Sequence, residues 1–161
     1  MNNNPRVIIA PPVIQVSAET QREAKRLVNV AKAQNDLCWI ILFCAILHAG
    51  TGSLVTTVGH EMSLMPDGPY FYITLSGLAI MGLLQAVGAH RLLSAMRKSP
   101  GDVFLGTLIA AVPALGWIML VFDNVAASKE LRAHVRVGIM GVSESEMRKL
   151  IDLANGEAPQ G

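Results

Sequence analysis

Residues 37–60 hold no Asp, Glu, Lys or Arg, yet His48 lies inside that run. On a helix entered at Leu37, His48 sits about 16 Å along the axis, which in a bilayer would be close to the midplane. An imidazole at that depth can relay a proton, contact a polar substrate or ligate haem. A haem-binding histidine pair fails on depth, because His60 falls at the far end of this run and His90 at the near end of the next. Thr51, Ser53, Thr56 and Thr57 add hydroxyls, and Gln85 adds an amide on the second run. His48, Thr51 and Gln85 are therefore the candidate polar site, with proton relay or transport as its chemistry. The plainer alternative is a neutral imidazole bonded to a neighbouring helix, with the hydroxyls turned back on their own i−4 carbonyls.

Other constellations carry less. His60-Glu61 with Asp67 gathers metal-ligand residue types, but Leu64 stands where an HExxH zinc helix needs its second histidine. Asp123-Asn124 closes the third apolar run at an interface, where a carboxylate costs little. Cys38 and Cys44 point different ways on one helix and read as small apolar packing residues. No nucleophile–base pair, phosphate-binding loop or Gly-rich dinucleotide turn is present. The chain thus reads as non-enzymatic, with no cofactor and no metal implied.

The elements that must position these residues are three uncharged blocks. They predict helical spans over about 37–57, 70–90 and 103–122, each long enough to cross about 30 Å of hydrocarbon. The chain is 52% hydrophobic and 16% charged, and all thirteen Lys and Arg fall outside the blocks. A soluble helix would interleave charges on its wet face, so the expected class is an all-α integral membrane protein. The net charge of +1, without a basic cluster interleaved with aromatics, points away from nucleic acid. No cleavable signal pattern or lipidation box stands at the ends, so the first span is expected to act as its own uncleaved insertion signal.

Flanking segments complete the plan. Residues 1–16 read as an extended arm, split by Pro11-Pro12. Residues 17–36 read as a basic amphipathic helix capped by Ser17, with Ala24, Leu27, Val28 and Ala31 on its apolar face. It would either lie on an anionic leaflet or dock on the protein's own surface. The transmembrane region covers 37–125. The tail 126–161 continues as a surface helix, an extended VRVGIMG segment, and a short amphipathic helix over about 144–154. Ser143 and Glu146 form a capping box for that last helix.

Each span carries a seam of small residues at helical spacing: Ala45, Ala49 and Ser53; Ala79, Gly82 and Ala86; Gly106, Ala110 and Ala114. Such seams let backbones approach closely. They predict packing into a homo-oligomer or against a membrane-protein partner. Pro113, with Gly116 one turn on, is expected to kink or break the third span.

Lys and Arg number five before the first span, none in the loop 58–69, three between the second and third spans, and five after the third. The positive-inside rule places the N-terminus in the cytoplasm and the loop 58–69 outside. Three full crossings would put the basic tail outside, against the rule. A third segment that is re-entrant, bent back at Pro113–Gly116, would keep both its ends cytoplasmic, although a straight span suits its length better.

Residues 88–142 resemble the C-terminal part of a group of uncharacterised small bacterial multi-pass membrane proteins. The matching positions are Arg91-Leu92, Ser99-Pro100-Gly101, Pro113, Asn124, Leu131-Arg132 and Val135–Gly141. His134 and Val135 stand where that group has a Gly-containing turn. The resemblance implies a bacterial inner-membrane setting and no activity.

Overall fold

The computed structural model describes residues 16–58 and 68–157. Among them the chain is mostly helical. The amphipathic helix and first apolar block form one continuous helix, α1 (Ala18–Val58). It starts where expected, with the Ser17 hydroxyl accepting the Thr20 N–H at 3.2 Å, and nothing between residues 17 and 58 breaks it. Helix α2 (Pro69–Ala95) opens with proline in its first turn and ends in a Schellman-type turn. There the Arg97 N–H bonds Ser94 (3.1 Å) and the Lys98 N–H bonds Leu93 (3.2 Å). Ser99 then caps α3 (Pro100–Ala110), accepting the Asp102 N–H at 3.2 Å.

The third apolar block is not one helix. Helix α3 stops at Ala110, and α4 (Pro113–Leu131) begins at the proline. Pro113 has no N–H to continue the ladder, and it holds Val112 extended at φ −83°, ψ 111°. The chain reverses at this break. On one straight helix residues 106 and 119 would lie about 20 Å apart, yet a Cβ on Gly106 would lie 3.7 Å from the Met119 methyl. Thr107 meets His90 near the start of the hairpin (3.5 Å), and Asn124 meets Gln34 on its return (3.1 Å). Both ends of 103–122 are thus at the end of the bundle where Arg91 pairs with Asp36 at 2.9 Å. In place of one straight helix over 103–122 the structure has a helical hairpin folded against α1 and α2.

The tail is not entirely helical. Two short antiparallel strands, β1 (Val137–Gly138) and β2 (Gly141–Val142), precede α5 (Glu144–Asn155). Asn35 of α1 holds this hairpin with both amide atoms: Nδ2 donates to the Val142 carbonyl (3.0 Å) and Oδ1 accepts the Val142 N–H (2.8 Å). Gly141, at φ +95°, presses against that amide where any Cβ would collide. Asn35→Ala strands both backbone groups of Val142 and is expected to cost about 1–3 kcal/mol. Faster hydrogen exchange at Val142, with α1 unchanged, is the signature to measure. The capping box forms only by half. Ser143 accepts the Glu146 N–H (3.4 Å), while the Glu146 carboxylate turns to the Arg136 N–H (3.3 Å) and Lys149 (2.7 Å).

Packing differs between the two halves. At the charged end, Leu27, Val28 and Ala31 of α1 are buried with Leu131, Val135, Leu150 and Ala154 in one apolar cluster. The amphipathic face of α1 is therefore docked on the protein's own C-terminal elements. In the apolar half, Leu37, Met81, Leu92 and Leu120 are fully buried, but several close contacts are made by small residues and many large ones face outward. Gly82, Ala89, Gly106, Ala110 and Gly116 are buried, while Leu83 (66%), Phe104 (71%) and Ile118 (57%) are exposed. Both α1 and α2 are long and apolar enough to cross a membrane, whereas α3 is a shorter apolar helix.

Candidate functional site

The hairpin turn at Ala111–Pro113 meets α2 at Gly82, where a Cβ would fall on the Ala111 carbonyl oxygen. Its other side faces α1. There Ala45, His48 and Ala49 line one wall of a cleft of about 420 Å³, and Pro113, Ala114 and Trp117 line the other. His48 is exposed to this cleft, and its ring has no hydrogen-bond partner among the described residues. The cleft lies beside the first turn of α4, whose leading N–H groups have no preceding turn to bond.

Of the three residues of the expected polar site, only His48 lines this cleft. No side chain–side chain hydrogen bond joins any two of them among the described residues. Thr51 donates to the carbonyls of Leu47 (3.0 Å) and His48 (3.1 Å), the turned-back arrangement, with its methyl toward Gly77. Gln85 is fully buried, its amide next to the Cys44 thiol of α1. It lies against Gly116, where a Cβ would strike its Oε1. Only His48 faces the cleft.

The small-residue seams divide in the same way. Gly82, Gly106 and Ala110 are buried and Ala86 is half-buried, consumed by the packing of α2 on the hairpin. Ala45 is half-buried, whereas Ala49, Ser53, Ala79 and Ala114 are exposed. Four of the nine seam residues are thus internal. Ala45, Ala49, Ala79 and Ala114 lie around the hairpin turn.

A polar layer that the sequence reading missed joins α1 to α4. Gln34 donates to Asn124 (3.1 Å) and Ser128 (2.5 Å), and the Cys38 thiol is 3.8 Å from Asn124. The available signal was Gln34 itself, which stands at i+7 from Leu27 on the apolar stripe. Further out, Arg26 bridges Glu23 and Glu130. Its guanidinium holds the Glu23 carboxyl below the usual carboxylate range. No three His, Cys, Asp or Glu side chains form a metal-sized group among the described residues. His60, Glu61 and Asp67 lie outside those residues.

No family model, curated protein or solved structure matches this chain.

Proposed function

We propose that this chain is a small integral membrane protein in which α1 and α2 cross a bacterial inner membrane and α3–α4 form a re-entrant hairpin. The N-terminus, the α2–α3 turn and the tail face the cytoplasm. The many large apolar side chains left exposed on this half, Leu83, Phe104 and Ile118 among them, support this reading, together with close helix contacts at Gly82, Gly106 and Gly116. The hairpin also removes the conflict with the positive-inside rule, since the tail's five Lys and Arg stay on the N-terminal side.

Its role, on this reading, is that of a non-enzymatic subunit that assembles with another copy of itself or with a larger membrane complex. The observation that carries it is the uncovered re-entrant turn. Ala111, Val112 and Ala114 are exposed at the turn, and Ala114 shares the cleft with an unpartnered His48. Non-helical backbone at bilayer depth persists only where protein covers it or water fills a cavity around it. A second subunit seated on Ala45, Ala49 and Ala114 would supply the cover. Water reaching His48 would instead make the cleft part of a proton or ion path, and the exposed imidazole favours that as the second reading.

Ala114→Cys, made with Cys38 and Cys44 replaced by alanine, separates the two. The subunit reading expects an inter-chain disulfide under mild oxidant in membranes, together with protection from an impermeant maleimide. Rapid maleimide labelling without cross-linking would transfer support to the transport reading. His48→Ala should then abolish proton leak in liposomes.

A further inference from the structure

The geometry points to a second site, at the charged end of the bundle: a cleft for a phosphate-bearing ligand with an apolar body, gripped by Arg22 and Arg97. This cleft, of about 850 Å³, lies between the start of α1, the α2–α3 turn, the turn after α4, and α5. Leu27 and Leu150 form part of an apolar floor, and Arg22, Arg97, His134 and Lys149 stand around it. An adjoining cleft shares His134 and Lys149 and adds Arg132 and Arg136 at the mouth.

Charge pairing within the cleft is uneven. Glu23 also lines it, but that carboxylate accepts the Arg26 Nε–H at 3.1 Å on both oxygens. Lys149 is held by Glu146 at 2.7 Å. Glu19 is the remaining acid on the wall. Neither Arg22 nor Arg97 has a side-chain hydrogen bond or ion pair among the described residues, although Arg97 and His134 lie close enough to Glu23 to favour its charged form. Two guanidinium forks with no hydrogen bond of their own and a histidine over an apolar floor suit a phosphoryl group with a hydrophobic portion, because the planar fork meets phosphate oxygens two at a time.

The backbone at Arg97 is the second, independent observation. It has φ +55°, the only positive φ at a non-glycine position among the described residues. It occupies the left-handed position of the turn that ends α2, where glycine is the unstrained residue. An arginine there opposes the local backbone preference. What it adds is a guanidinium in the cleft, and outliers of this kind gather at ligand-binding positions.

The phosphoryl group could belong to a soluble phosphate compound or to a lipid headgroup, and the test distinguishes them. The full chain in dodecyl maltoside would be titrated with sodium pyrophosphate, with dihexanoyl phosphatidate, and with dihexanoyl phosphatidylcholine as the zwitterionic control. The expected result is saturable binding of phosphatidate, at least tenfold tighter than phosphatidylcholine. Pyrophosphate binding as tightly as phosphatidate would keep the phosphate site but assign it to a soluble compound and overturn the role of the apolar floor. Arg97→Gly removes the fork while relieving the backbone, so it is expected to raise the melting temperature and weaken phosphate binding at least tenfold. Arg97→Lys should fall between. Absence of saturable binding by either phosphate probe, or wild-type affinity in Arg97→Gly, overturns the site. Neither measurement depends on the oligomeric state.

Discussion

Gly116→Leu is expected to destroy the packing of the α3–α4 hairpin, whereas Gly50→Ala, in the same apolar half, should leave it intact. The reason is which atoms stand in the way. A Cβ on Gly116 would run into the Ala110 carbonyl group and into Oε1 of the buried Gln85. One is backbone at the tip of the hairpin and the other is fixed by full burial, so neither can step aside cheaply. Gly82 faces the same difficulty from the Ala111 carbonyl oxygen, whereas at Gly106 the nearest atom is the Leu93 side-chain tip. Gly50 has nothing within 4 Å, and alanine there gains about 0.5–1 kcal/mol of helix preference. Overpacking of a tight interior costs about 1–3 kcal/mol, and a leucine forced against the Ala110 backbone and the buried Gln85 exceeds that range. In thermal unfolding from detergent the order expected is Gly116→Leu and Gly82→Leu far below wild type, Gly106→Ala intermediate, and Gly50→Ala at or above wild type. Leu83→Ala, which trims an exposed side chain, should barely move the midpoint. Equal losses at Gly50 and Gly116 would mean that the hairpin does not pack as described.

The elements were legible in the sequence because their signals are local. Ser17 and Ser143 each cap the helix that follows them, and Pro113 breaks the block that contains it. Local signals state that a helix ends, not where the chain goes next. The reversal at Pro113 depends on Gly106 accepting Leu93 and on Gly116 accepting Gln85, and these contacts come from a different helix. For the same reason the spacing of Gly82, Gly106 and Ala110 revealed close packing but not whether the partner was the same chain. The clamp of Asn35 on Val142 left no trace, since an asparagine near a helix middle reads only as polar. The candidate site suffered most. His48, Thr51 and Gln85 are all polar residues in apolar runs, but the direction in which each points is set by helix packing: Thr51 bonds its own helix and Gln85 is buried, while His48 lines the cleft.

The tail should report from the same side of the membrane as the N-terminus. Single cysteines at Lys25, Lys98 and Arg148, in a background without Cys38 and Cys44, are expected to resist an impermeant maleimide in spheroplasts and to react in inverted vesicles. A cysteine at Ser63, in the loop assigned to the outside, should do the reverse. The physical basis is the set of bonds that tie the end of the hairpin and the tail to the first half of α1. Gln34 binds Asn124 and Ser128, Asn35 binds both backbone groups of Val142, and Arg26 joins Glu130. Leu131, Val135 and Leu150 are buried in the same apolar cluster as Leu27 and Ala31. Moving the tail across the bilayer would break every one of these contacts and would carry its five Lys and Arg over with it, against the orientation that basic flanks enforce. Exchange between the two arrangements is therefore not expected, and the labelling should be all or none. An Arg148 cysteine that reacts together with the Ser63 cysteine would require a crossing third segment. That would undo the hairpin and, with it, the cleft between His48 and Ala114.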